Sequence, residues 1–214
     1  MRFTRNALLA AVALFMSASQ ANAQNLAVNP GFEDPITSDG APFVGFWEGF
    51  NGAGASSIRD TVQPRTGLGH LHMNITATND SFAGAFQDIE GLTPGQIVTY
   101  SGWHMTPISR VFDLVPEVRI EWRKTGQGPE VDRDQILPVP TADYTQFSLA
   151  LPVPLGADTA RIVYAIQTGT NAGTLNTGSV YVDDVSLTVI PEPTTLALAS
   201  LAGAALLVAR RRRG

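Results

Sequence analysis

Between residues 67 and 78, apolar Leu71, Met73, Ile75 and Ala77 alternate with polar His70, His72, Asn74 and Thr76. That two-residue period predicts a strand with one buried and one wetted face, the two histidines lying on the wet side. The same alternation returns at 115–124, where Val118, Ile120 and Trp122 oppose Glu117, Arg119, Glu121 and Arg123. It returns again at 144–151 (Phe147, Leu149, Leu151) and at 160–168 (Ile162, Tyr164, Ile166). Residues 25–28, 82–89, 97–105 and 179–190 read as further strands. An aromatic cluster over 43–50 (Phe43, Phe46, Trp47, Phe50) places Trp47 in the core. Helical periodicity is nearly absent from 24 to 190, and Gly, Pro, Asn, Asp and Thr punctuate the runs, as at 29–33 and 91–96. Roughly eight short strands at this spacing predict an all-β fold, a jelly-roll β-sandwich.

Both ends break the pattern. Arg2 and Arg5 precede an apolar run over 7–18 and then Ala21-Asn22-Ala23, the layout of a secretory signal peptide removed after Ala23. At the other end, Pro191-Glu192-Pro193 leads into 16 uncharged residues, 194–209, and then Arg210, Arg211, Arg212 and Arg213. As a helix those residues would reach roughly 24 Å, against the roughly 30 Å of a bilayer's hydrocarbon core. Four arginines would stay on the cytoplasmic side, which predicts a transient membrane anchor. A core helix would show regular polar positions and would not end in an arginine block. The prolines forbid helix around Glu192 and expose its backbone. This ordered trio resembles the PEP-CTERM sorting signal of Gram-negative bacteria that make extracellular polysaccharide. The resemblance implies that an exosortase, a membrane enzyme, recognises Pro191, Glu192 and Pro193 and removes the tail, with export across the inner membrane and a final place outside the cell or on its surface. The expected organisation is thus 1–23 signal peptide, 24–190 passenger and 191–214 sorting signal.

Charge sharpens this view. Six of the 14 basic residues and one of the 19 acidic residues lie in the terminal segments, leaving the passenger with 8 and 18 and a net charge of −10. Such a balance argues against nucleic acid or an anionic membrane as partner and fits a neutral sugar or a divalent cation. With no cysteine, thiol chemistry and disulfides are excluded, and stability outside the cell rests on the apolar core.

A second resemblance rests on Asn29-Pro30-Gly31-Phe32-Glu33 near the start and Tyr181-Val182-Asp183-Asp184-Val185-Ser186-Leu187 at the end. The pair resembles the galactose-binding-domain-like β-sandwich of many carbohydrate-binding modules. It implies a structural calcium held by Glu33, Asp183 and Asp184. Adjacent strand residues point to opposite faces, so only one of the two aspartates, Asp184 by preference, is expected to reach it. Without calcium, Glu33 would cap a turn and the aspartates would be solvated. For sugar binding, an aromatic platform flanked by polar side chains is required, and Trp103 with His72, His104, Glu117, Arg119 and Glu121 is the expected constellation. The bland alternatives are a core tryptophan and cross-strand charge pairs on a solvated face.

Enzyme signatures are weak. Glu117 and Glu121, four strand residues apart, are too far for a glycosidase pair by themselves. No Gly-x-Ser-x-Gly or His-Glu-x-x-His motif occurs, and His70-x-His72 lacks an evident third ligand. The expected function is a non-catalytic carbohydrate-binding or exopolysaccharide-matrix component. The alternatives are a biofilm scaffold without a soluble ligand and a polysaccharide-active enzyme.

Overall fold

The computed structural model describes residues 24–77, 80–107, 114–125, 128–168 and 176–189. The expected signal peptide, the Pro191-Glu192-Pro193 motif, the apolar run and Arg210 to Arg213 lie outside the described residues. Among the described residues there are ten strands: β1 (Glu48–Asn51), β2 (Ala55–Asp60), β3 (His70–Ala77), β4 (Phe82–Glu90), β5 (Ile97–Met105), β6 (Leu114–Arg123), β7 (Glu130–Ile136), β8 (Thr145–Pro152), β9 (Thr159–Thr168) and β10 (Asn176–Val189). They form two antiparallel five-stranded sheets. One has the order β1-β4-β9-β6-β7 and the other β2-β3-β10-β5-β8. No helix occurs among the described residues.

The apolar rows read from sequence are the rows that face the core. Leu71, Met73 and Ile75 of β3, Val118, Ile120 and Trp122 of β6, and Ile162, Tyr164 and Ile166 of β9 all turn inward and are almost wholly buried. Trp47 joins them. Burial of these large side chains is the main stabilising term, at about 1.5–3 kcal/mol for each aliphatic side chain. Three strands were missed: β1, which overlaps the end of the aromatic run at 43–50, β2 and β7. β2 carries a single large apolar residue, Ile58. β7, Glu-Val-Asp-Arg-Asp-Gln-Ile, is an edge strand whose charges discourage pairing with another chain.

Residues 25–28 form only an isolated bridge, Asn25 to Thr188, rather than a strand. The Asn25 side chain donates to Val185 O (3.0 Å) and accepts from Leu187 N (3.0 Å), lacing the start of the domain onto its last strand. The turn that follows uses left-handed backbone at Asn29 (φ 50°) and Phe32 (φ 53°). Asn29 is among the residues that tolerate this conformation, and its Oδ1 accepts from Glu33 N at 2.7 Å. Phe32 is thereby driven inward onto Trp47, ring centroids 4.8 Å apart.

Candidate functional site

The residues expected to form one sugar site are divided among three environments. β5 and β6 belong to opposite sheets, so the outward face of Trp103 and the outward face of Glu117, Arg119 and Glu121 lie on opposite sides of the sandwich. His104, next to Trp103 on β5, points between the sheets. It is 2 % exposed, and its Nδ1 lies 2.5 Å from Tyr164 Oη. Burial depresses its pKa to about 4. The placement of His104 on a wet face is therefore corrected: strand alternation puts it in the core whenever Trp103 is outside.

On the β2-β3-β10-β5-β8 sheet, residues 63–66 reach over part of the outward face. The Arg65 guanidinium lies 3.8 Å from the Trp103 ring centroid, and the Tyr144 hydroxyl donates to Gln63 O at 3.1 Å. His72 is held between Asp60 Oδ2 (3.1 Å) and Ser179 Oγ (3.2 Å). His70, expected on the wet face, is wholly buried with neither ring nitrogen bonded, its ring 4.3 Å from that of Tyr181. Burial lowers its pKa to about 4, with His72 and Arg59 adding to the effect and Asp60 opposing it. Trp103 thus stacks on Arg65 on this face.

Glu33, Asp183 and Asp184 do converge, around Gly31. Strict alternation fails because the β10–β5 register shifts between Asp183 and Ser186 and Asp184 adopts φ 48°. This β-bulge sends both aspartates to the same loop. Asp183 Oδ2 accepts from Arg65 N (2.8 Å) and Thr66 N (3.1 Å), and its Oδ1 from Asp184 N (2.7 Å). Asp184 accepts from Thr66 Oγ1 (2.6 Å) and pairs with Arg65 Nη1. Glu33 accepts from Leu68 N (2.9 Å). Asp183 is wholly buried; that burial, with Asp184 adding, raises its pKa to about 6 against the opposing pull of the amide donors. As they stand, these oxygens face N–H and O–H donors, and among the described residues no group of three or more acidic or histidine side chains forms a ready metal cage.

The outer face of the β1-β4-β9-β6-β7 sheet has a different character. Cross-strand register sets Asp88, Arg161, Glu121 and Arg133 in one row and Phe86, Val163, Arg119 and Gln135 in the next. Arg161 grips Asp88 with two hydrogen bonds (2.7 and 2.8 Å) while its guanidinium covers Phe86 at 4.0 Å. Arg119 bridges Glu121 (2.9 Å) and Glu117 (3.1 Å). Gln167 Nε2 donates to Glu117 at 2.6 Å, and Arg123 donates to Glu121 at 2.7 Å. Glu117 and Glu121 are only 3 % and 4 % exposed, so this is a fixed array of charge-assisted hydrogen bonds rather than a mobile fringe.

The array runs into a cleft. Residues 42–46 fold over β4, Phe43 meets Phe86 edge-on at 5.1 Å, and Pro42, Phe43, Phe46, Glu48, Phe86, Asp88 and Glu90 line the space. Phe46 is 48 % exposed at its mouth. The signal for this cleft was the aromatic cluster at 43–50; only its core member, Trp47, was singled out.

Comparisons with known proteins bear on the tail and on the fold. The PEP-CTERM protein-sorting motif matches residues 189–213. No curated protein matches the sequence. Among solved structures, the chain is similar to the enzymatically active domain of bacteriophage CBA120 tailspike protein 4 (TM-score 0.58, 16 % identity, 78 % of this chain). It spans only 21 % of that chain. It is also similar to a structure described for the promiscuous specificity of carbohydrate-binding modules of the β-sandwich superfamily (TM-score 0.51, 17 % identity, 78 % of this chain and 61 % of that one). Module 2 of carbohydrate-binding family 16 aligns over 76 % of this chain and 99 % of its own length (16 % identity, TM-score 0.49). At these identities the likeness is one of fold: an all-β sandwich with carbohydrate-binding-module neighbours.

Proposed function

We propose that residues 24–190 form an exported, non-catalytic module that binds a neutral polysaccharide on the outer face of the β1-β4-β9-β6-β7 sheet, and that the tail delivers it to an exosortase. The observation that carries the binding reading is the continuity, on one sheet face, of an aromatic cleft with a row of fixed hydrogen-bonding groups. Phe46 and Phe43 offer ring faces to pyranose C–H groups, and Asp88 and Arg161 offer acceptors and donors to hydroxyls. Pre-paired side chains lose little entropy when a ligand orders against them. The acidic balance of the module favours an uncharged polymer.

The sorting motif at 189–213 supports secretion with exosortase processing. An apolar run at 194–209 followed by four arginines supports a transient anchor that holds the chain at the membrane until it is cut. The removed leader, 1–23, completes the itinerary. An enzymatic reading draws on the tailspike likeness. Against it, both carboxylates on β6 are spent on Arg119 and its neighbours.

The test is retention of residues 24–190 in affinity gels containing neutral polysaccharides. Phe46→Ala should weaken retention, and Trp103→Ala should leave it unchanged. Loss of retention with Trp103→Ala alone would move the site to the other sheet. Equal retention in all gels would leave a matrix scaffold without a soluble ligand.

A further inference from the structure

β10 occupies the centre of its sheet and stays paired to its last residue, Val189 opposite Val98 of β5. The first residue of the apolar run, Thr194, is five residues farther on. Five Cα–Cα steps span at most about 17–18 Å even when fully extended. A tail inserted in a bilayer therefore keeps the end of the domain from which β10 exits within about that distance of the hydrocarbon core, facing the membrane.

That end is identifiable. Ile97, at the start of β5, pairs with Pro152, and Val153 N donates to Gln96 O at 2.9 Å, fixing the β8–β9 turn beside the exit of β10. The tip of this turn is Leu155, 88 % exposed, followed by Gly156 at φ 90°. Ile97 (39 % exposed) and Val131 (41 % exposed) stand near it, Val131 within van der Waals reach of a Cβ placed on Gly156. Lys124, exposed beyond the end of β6, adds a cation. Of the carboxylates at this end, Asp158 accepts from Thr125 N and Thr159 Oγ1, and Glu130 is paired with Arg133. Other exposed apolar residues, such as Val139 and Leu68, stand elsewhere on the surface. The short tether selects this end and not those.

We propose that, before the tail is removed, the turn bearing Leu155, together with Ile97 and Val131, rests on the lipid surface. Resting on the anchoring reading above, this makes the domain end a second, weak membrane contact that sets the orientation of the sandwich and directs its sheet faces sideways. Leu155 has no packing partner that its substitution would remove, and an apolar side chain gains free energy on entering the headgroup boundary.

The absence of cysteine makes the test direct. Leu155→Cys and Val139→Cys are each labelled with an environment-sensitive NBD fluorophore in the full chain, which is mixed with vesicles of the zwitterionic lipids phosphatidylethanolamine and phosphatidylcholine. Val139 is the far-end control: it lies two residues before Thr141, whose carbonyl accepts from Thr106 N just past the other end of β5. The expected result is co-flotation with the vesicles, with a blue shift and intensity gain at position 155 and none at 139. Co-flotation with both labels still reporting water would overturn this contact while leaving the anchor intact. Failure of the chain to float would overturn the anchor, and the contact with it.

Discussion

Acidification should destabilise this domain through two histidines that the fold buries without a charge. His70 and His104 have folded-state pKa values of about 4 against 6.5 for a solvated imidazole, in each case chiefly through loss of hydration. The folded state therefore binds fewer protons than the unfolded chain. The stability this represents is complete above pH 6.5 and is lost as pH falls from 6.5 toward 4. Asp183 acts in the opposite sense. Its pKa is raised from 3.8 to about 6, so the folded state takes up a proton first and gains stability as pH falls through 6 toward 3.8.

At pH 4.5 each histidine costs roughly 2–3 kcal/mol relative to pH 7, and Asp183 returns about 2, leaving a net loss of about 3 kcal/mol. For a domain of this size that corresponds to a fall of roughly 6–12 °C in the thermal midpoint. Stopping at pH 4.5 keeps the measurement above the range in which the lowered carboxylates Asp60 and Glu130 titrate. Differential scanning calorimetry of residues 24–190 between pH 7 and 4.5 reads the slope. His104→Gln, which keeps a polar partner for Tyr164, and His70→Gln should each flatten it. A parent midpoint that does not fall, or slopes unchanged in both variants, would refute the reasoning.

Two further outcomes follow from the loop over the bulge. Gly67 sits at φ 61°, and a Cβ there would collide with Glu33 Oε1. Gly67→Ala should cost about 2–3 kcal/mol in a urea titration, from left-handed backbone strain plus the loss of Glu33 as acceptor for Leu68 N. Calcium at Glu33, Asp183 and Asp184 is a separate proposal, supported by the convergence of the three carboxylates around Gly31. A cation would enter by displacing Arg65 from Asp184. A thermal midpoint that rises with added calcium and falls back on chelation supports it, and an unchanged midpoint leaves Arg65 as the resident cation.

Strand identity was legible wherever burial was one-sided. The inward rows of β3, β6 and β9 could be named from alternation because a one-residue slip would have exposed Leu71, Val118 or Ile162. Asp183 and Asp184 show where that logic stops. The period-two rule assigns them to opposite faces, yet one residue of left-handed backbone at Asp184 turns both toward residues 65–66, Asp183 onto their backbone amides and Asp184 onto the Thr66 hydroxyl. Nothing local in Val-Asp-Asp-Val announces a bulge. It is imposed by the need to keep Val182 and Val185 both in the core. The burial of His70 was equally hidden, since the ring packed against it at 4.3 Å is that of Tyr181, more than a hundred residues away in sequence.

The split of the expected sugar site has a more general cause. In this topology only the β2–β3 and β6–β7 connections stay within one sheet, and every other connection crosses the sandwich. Strands that are neighbours in sequence, such as β5 and β6, therefore show their outward faces to opposite sides of the molecule. A site assembled by collecting wet residues from consecutive strands joins Trp103 to Glu117 across a packed core. The groups that do share a face come from distant parts of the chain: Phe46 from the loop before β1, Asp88 from β4, Glu121 from β6 and Arg161 from β9. Their juxtaposition is a product of register, and register is settled by how ten strands share one core rather than by any stretch of sequence read alone.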